Sequence, residues 1–130
     1  MTSSSPDVPA PRQESGDLQV TVRWRGDAVV IAVAGEIDLV TAPEFDEVVA
    51  GVVDQGPAVL VVDLGGVSFL SSAGLQVLAG AHRRLGERGL RAVTTSTATS
   101  RPFTSTGLDT WIGLFPSVDE ALAATPGTGE

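Results

Sequence analysis

The stretch Val67-Ser-Phe-Leu-Ser71-Ser72-Ala73-Gly74-Leu-Gln-Val-Leu decides the fold class of this chain. It follows an apolar, strand-like run at 58–63 and opens a helical pattern of leucines. Two hydroxyls therefore stand where a strand and its loop lead into a helix N-terminus, whose N–H groups are unpaired and partly positive. Either serine can be an ordinary N-cap. A phosphate on either would be held by the same N–H groups.

Upstream of this stretch, strand-like and helix-like segments alternate. Apolar residues at every second position of 18–24 predict a half-buried, antiparallel strand, and the apolar run 28–34 predicts a strand covered on both faces. Thr41-Ala-Pro43-Glu44 predicts a capping box that opens a helix, and Gly56-Pro57 predicts its end. The helix is expected to bury one apolar stripe, formed by Phe45, Val48, Val49 and Val52.

The same alternation continues downstream. The central helix is predicted to end near Gly86, followed by a strand at 90–95, a short helix from about Arg101-Pro102 and a short strand at 111–115. Ser117-Val-Asp-Glu120 predicts a last helix. The pattern indicates one α/β domain at 17–124, with a mixed, mostly parallel sheet of four to five strands and about four helices. Residues 1–16 are predicted to be a disordered arm and 125–130 a flexible tail.

Composition excludes several classes of function. The net charge of −8 over 130 residues argues against nucleic acid or an anionic membrane as the main partner. Cysteine and lysine are both absent, so a disulfide framework, a thiolate metal site, a P-loop and lysine chemistry are excluded. We therefore expect no cofactor and no metal. We also expect a cytoplasmic location, because no signal-peptide pattern or membrane-length apolar run is present.

Acidic residues follow one of the predicted parallel strands. Glu36 and Asp38 come just after the run 28–34, as Ser71 and Ser72 come after the next buried strand. The carboxyl ends of parallel strands share one rim of the sheet, where ligands gather. These residues therefore form either a functional rim or, in the case of the two acids, an ordinary solvated loop.

The residues of this rim argue against serine hydrolase chemistry. Ser72-Ala-Gly74 resembles half of a Gly-x-Ser-x-Gly nucleophile elbow, but leucine occupies position 70. The single histidine, His82, lies ten residues along the same helix, about 15 Å away by helical rise, and cannot activate Ser72. One histidine without cysteine also leaves no metal-binding set. The residues thus favour a binding or switching module over an enzyme.

The segment 18–124 resembles the STAS domain of bacterial anti-sigma factor antagonists. The resemblance rests on Gly35-Glu36-Ile37-Asp38, on Val61-Val62-Asp63-Leu64, on the 67–75 stretch and on Gly107-Leu108. It implies a protein that binds an anti-sigma factor, itself a serine/threonine kinase, and so releases a sigma factor. Phosphorylation of one serine at the helix start then blocks binding, and a serine phosphatase restores it.

The resemblance also implies roles for individual residues. Ser72 matches the modified serine, with Ser71 as the alternative, and Asp38 matches an acidic residue of the binding surface. Together with Glu36, the small tip Ser71-Ser72-Ala73-Gly74 would contact the partner. One departure is that Ser71 stands where the family commonly has aspartate. The competing interpretation is a STAS subunit of a transport or scaffold complex, in which Ser72 is a plain cap.

Overall fold

The computed structural model describes residues 18–86 and 89–124 of the chain. Five strands are present in this part: β1 (Leu18–Arg25), β2 (Ala28–Ile37), β3 (Val59–Leu70), β4 (Leu90–Val93) and β5 (Gly113–Phe115). The helices are α1 (Ala42–Asp54), α2 (Ser72–Leu85), α3 (Thr97–Thr106) and α4 (Val118–Ala123), with a 3-10 turn at Leu108–Thr110. The expected arm and tail lie outside the described residues.

The strands form one sheet in the order β1-β2-β3-β4-β5. β1 runs antiparallel to β2, and every other neighbouring pair is parallel. The predicted fold class, a mixed and mostly parallel sheet with four helices, is therefore confirmed. Among the described residues, no helix is long and apolar enough to cross a membrane.

Two hydrophobic cores lie on opposite faces of the sheet. Helices α1, α2 and α3 cover one face, where Phe45, Leu78 and Phe103 are fully buried. The predicted α1 stripe is confirmed, with Val48 only partly buried. On the other face, α4 packs Ala121 against the valines of β2, β3 and β4. The helices of the first face follow consecutive parallel strands in the same direction, which brings every strand-to-helix junction to one end of the sheet.

β2 and β3 are longer than the sequence predicts. The expected loop before Ser71 is strand, because β3 continues to Leu70 and pairs with β2 as far as Ile37. β4 pairs with β3 only up to Asp63, so the rest of β3 forms a two-stranded extension with β2. Gly66 permits this pairing: a Cβ there would lie 3.0 Å from the Cβ of Ala34. The extension carries the Ser71 junction.

The helix predicted from Arg101-Pro102 begins earlier. α3 starts at Thr97 and continues through Pro102, which lacks the N–H for one helical bond. Thr99 and Phe103 are completely buried, and this packing outweighs the missing bond. The helix ends as predicted at Gly107, whose φ is +81°.

The strand predicted at 111–115 is shorter than expected. The N–H groups of Trp111 and Ile112 both donate to the carbonyl of Leu108, at 2.9 Å each, and a turn therefore occupies the first part of the segment. Only Gly113–Phe115 joins the sheet. Ile112 is fully buried, whereas Trp111 is 62% exposed.

Candidate functional site

The junction between β3 and α2 is held by Ser71. The backbone of this residue is extended, and its Oγ accepts a hydrogen bond from the N–H of Gly74 at 3.4 Å. The N–H of Ser71 donates to the carbonyl of Ile37 at 2.9 Å, which joins the junction to the end of β2. Ser71 is therefore the N-cap of α2, and its hydroxyl is partly buried in that role.

Ser72 is the first residue of α2 and has a different environment. Its side chain is exposed, and its hydroxyl has no hydrogen-bond partner among residues 18–86 and 89–124. The unpaired N–H groups of the first helical turn lie beside it. The cap and the free hydroxyl are thus two different residues, where the sequence left both roles open to either.

Gly74 lets the helix tip approach the sheet closely. A Cβ on this residue would lie 2.6 Å from Cγ2 of Ile37 and 2.7 Å from Cδ1 of Leu70. Both neighbours are buried and have little room to move. Ala73 packs partly buried against the same core. The tip is therefore held by backbone contact and close packing, and it presents little apart from the Ser72 side chain.

The turn between β2 and α1 is organised by Asp38. Its Oδ1 accepts hydrogen bonds from the N–H groups of Thr41 and Val40, at 3.0 Å each. The hydrogen bond from the Thr41 N–H is the main cause that holds the pKa of the Asp38 carboxyl below its usual value. Glu36 is exposed and precedes this turn.

The capping hydrogen bond predicted for the Thr41 side chain is not formed. The side chain of Thr41 caps no N–H of α1, and its backbone is already helical. Its buried hydroxyl instead donates to the carbonyl of Glu36 at 2.7 Å and accepts from the N–H of Asp38 at 2.9 Å. Asp38, three residues earlier, instead binds the N–H groups of Val40 and Thr41, which immediately precede α1, while the Thr41 hydroxyl faces back into the turn.

The structure brings the predicted residues to one end of the sheet. In the parallel pairing of β2 with β3, Glu36 lies opposite Phe69, and the next pair, Ile37 and Leu70, ends both strands. The Asp38 turn and the Ser71–Gly74 tip follow directly from these two strand ends.

Exposed apolar residues in this region were not predicted. Leu39 is 79% exposed, Val40 is 76% exposed and Phe69 is 50% exposed. The available signal was a pair of aliphatic residues between Asp38 and Thr41, in the segment that links a predicted strand to a predicted helix.

The rim lacks the groups that activate a serine. His82 lies in the last turn of α2, far from Ser72 at the start of that helix, and its ring centroid is 6.3 Å from that of Trp111. The buried Nδ1 of His82 has no hydrogen-bond partner among the described residues. In the same part of the chain, no group of three or more His, Cys, Asp or Glu residues could hold a metal ion. The arrangement suits contact with another protein and modification of an exposed hydroxyl.

Comparisons with known proteins agree with this architecture. A model of the STAS domain family matches residues 19–121. The chain is 36% identical over 111 residues to the anti-sigma-F factor antagonist RsfB of Mycobacterium tuberculosis, covering 85% of this chain and 91% of that one. It is similar to the crystal structure of an anti-sigma factor antagonist from Mycobacterium paratuberculosis, with a TM-score of 0.77, 40% identity and coverage of 81% and 91%. Unphosphorylated SpoIIAA of Bacillus shares the fold at 21% identity, with a TM-score of 0.67 and coverage of 79% and 92%.

Proposed function

This chain belongs to the STAS domain family, and we propose that it is an anti-sigma factor antagonist that is switched off by phosphorylation of Ser72. It binds an anti-sigma factor that is also a serine/threonine kinase, and so releases a sigma factor in the cytoplasm. A serine phosphatase restores the active form. The relatives of 36% and 40% identity described above are named as antagonists of this class, which favours this function over a transport or scaffold subunit.

The exposed, unbonded hydroxyl of Ser72 at the start of α2 carries the proposal. A kinase must reach its acceptor oxygen, and no local hydrogen bond to the described residues has to break first. The N–H groups of the first helical turn can hold the phosphate once it is attached. Modification at this position is therefore compatible with an intact helix.

The effect of the phosphate on binding is electrostatic. It adds about −1.5 to −2 charges at neutral pH, to a small tip that was neutral and easily approached. Glu36 and the ionised carboxylate of Asp38 come from the neighbouring strand end, so the modified rim becomes strongly acidic. A partner surface that fits the unmodified rim would then meet both unfavourable charge and added bulk.

Ser71 supports the fold in this proposal. Its hydroxyl is already engaged as the N-cap of α2 and is partly buried, so it is the poorer acceptor for a kinase. An aspartate at this position would accept the same N–H bond, because aspartate and serine are both good N-caps. Ser71 thus makes the capping hydrogen bond that the aspartate would make at this position, but without the negative charge of aspartate.

The test is phosphorylation with ATP and Mg²⁺ by the purified anti-sigma-F factor homologue of the source organism, followed by mass spectrometry. Trypsin is unsuitable, because neither lysine nor arginine occurs between Arg25 and Arg83. Chymotrypsin, which cleaves after aromatic and leucine residues, places both serines in a short peptide. We expect one phosphate, on Ser72.

Two matched variants assign the site independently. Ser72→Ala should abolish incorporation, whereas Ser71→Ala should retain it, since only the cap is lost. Phosphate on Ser71 in the parent chain, or equal incorporation into Ser72→Ala, would contradict the assignment. A folded chain that neither binds nor is phosphorylated by the purified factor would contradict the proposed function.

A further inference from the structure

The two most exposed large hydrophobic side chains of the described residues are neighbours at the proposed binding rim. Leu39 is 79% exposed and Val40 is 76% exposed, and both lie in the β2–α1 turn. Single exposed aliphatic residues are common on protein surfaces, but an adjacent pair beside a functional rim marks an interaction site more often. No structural role inside the domain accounts for them, because neither belongs to a hydrophobic core.

The backbone beneath this pair is fixed. Oδ1 of Asp38 accepts from the N–H of Val40 and from the N–H of Thr41, at 3.0 Å each. The N–H of Ala42 donates to the carbonyl of Asp38 at 2.8 Å, which closes the turn across both exposed residues. A turn held in this way loses little conformational entropy when a partner covers it.

The charged residues that precede the pair in the sequence are acidic. Glu36 is exposed, and Asp38 is kept ionised by its hydrogen bonds. The arginines of β1 lie at the other end of the sheet, since Arg23 pairs with Val30 and Arg25 pairs with Ala28. Those of α2 lie in its last turn, at the end opposite to Ser72. The complementary partner surface is an apolar pocket with basic residues at its edge.

We infer that Leu39 and Val40 are the apolar anchor through which this chain holds its anti-sigma factor, and that Asp38 is a positioning residue for that anchor. The inference rests on the proposed function and names the contact chemistry of the same rim. Asp38 acts through the turn: its carboxylate binds the chain's own N–H groups and presents the two side chains to an apolar pocket of the partner. Glu36 contributes to the acidic edge.

The test is the affinity of the purified anti-sigma-F factor homologue for the full chain, measured by calorimetry. Replacing both anchor residues, Leu39→Ser with Val40→Ser, should weaken binding by about tenfold or more, because two anchor side chains no longer leave water. The melting temperature should be unchanged, since these side chains are not in the core. The control is Val22→Ser with Trp24→Ser, which alters half-exposed apolar residues of β1 away from the rim and should leave affinity unchanged.

Asp38 is tested by comparing two substitutions. Asp38→Asn keeps an oxygen that can accept from both N–H groups, so it should retain most of the affinity if the role is positioning. Asp38→Ala removes that oxygen and should weaken binding as the anchor variant does. Equal loss in Asp38→Asn and Asp38→Ala would instead make Asp38 a direct charge contact and overturn the positioning role.

Failure of the anchor and failure of the proposed function give different results. If the parent chain binds the factor and the anchor variant binds equally well, the anchor is wrong and the function stands. If the anchor variant and the β1 control lose affinity together, the loss is not specific to this turn and the anchor is again wrong. If the parent chain itself does not bind, both proposals fail.

Discussion

The β2–α1 turn (residues 38–41) lies beside the N-cap and first three residues of α2 (residues 71–74, here called the β3–α2 turn), and the two are stabilised by different means. Side chains hold the first, since Asp38 and Thr41 exchange hydrogen bonds with the backbone around them. Close packing holds the second, where Gly74 lies against Ile37 and Leu70 and Ser71 adds one long hydrogen bond. The two turns also present different chemistry to solvent.

In the proposed function, this difference separates two tasks of one surface. The turn held by side chains exposes aliphatic groups suited to gripping a partner, and the turn held by packing exposes a hydroxyl suited to modification. A phosphate on Ser72 need not disturb the hydrogen bonds that present Leu39 and Val40, because those bonds belong to the other turn. The proposed switch therefore acts on the interface while the fold stays unchanged.

The largest effect is expected where packing holds the backbone. Gly74→Ala should lower the free energy of unfolding by about 2 kcal/mol, because the added methyl overlaps buried side-chain atoms of Ile37 and Leu70. The control lies on the same helix: Gly80→Ala meets no atom closer than 3.9 Å and should stabilise by about 0.5 kcal/mol through helix propensity. Urea denaturation measures both. If Gly74→Ala stabilised the protein, close packing against Ile37 and Leu70 would not be what holds this turn.

A smaller loss is expected from the hydroxyl that holds the other turn. Thr41 is 3% exposed, and Thr41→Ala removes the hydrogen bonds that its hydroxyl makes with the carbonyl of Glu36 and the N–H of Asp38. We expect a loss of about 1 to 2 kcal/mol in the free energy of unfolding. Thr41→Ser keeps the hydroxyl and should recover most of it. Similar losses in both variants would indicate that the methyl group, and not the hydrogen bonds, stabilises the turn.

The smallest effect depends on pH. The pKa of Asp38 is lowered in the folded chain, so its hydrogen bonds stabilise the fold above the ordinary value of 3.8 and are lost as the pH falls through the lowered one. Asp38→Asn cannot titrate. The melting temperature of the parent chain should therefore exceed that of Asp38→Asn at pH 7, and the gap should close as the pH falls below about 4. A gap that is constant down to pH 2 would assign the difference to something other than this carboxylate.

Periodicity predicts the order of elements well, because buried faces leave repeating apolar patterns in strands and helices. It also places Ser71 and Ser72 at a helix start. It does not reveal the two-stranded extension, because Gly65 and Gly66 interrupt the apolar run of β3 and suggest a break in the strand. Nor does it identify the start of α3. Pro102 suggests that the helix begins near that residue, but α3 continues through Pro102 because the burial of Phe103 stabilises it.

Which residue of the site caps a helix, which is exposed and which hydroxyl is free depends on the three-dimensional arrangement and could not be predicted from the sequence. Thr41 has the spacing of a capping box, yet its hydroxyl binds the carbonyl of Glu36 and the N–H of Asp38 and caps no N–H of α1. The sequence shows that Leu39 and Val40 are an aliphatic pair in a connecting segment, but aliphatic residues are also usual in a core, and only the structure shows that both are exposed. The sequence could place a cap or a switch at either serine, and only the structure separates Ser71 from Ser72.

The most direct test of the account compares the affinities of the unmodified chain and of the chain carrying phosphoserine at position 72 for the purified anti-sigma-F factor homologue. We expect the phosphorylated chain to bind about 100-fold more weakly or worse, because like charge at an interface costs several kcal/mol. Its melting temperature should match that of the unmodified chain. Equal affinities, or a loss of affinity accompanied by unfolding, would contradict a switch at Ser72 that acts through the interface alone.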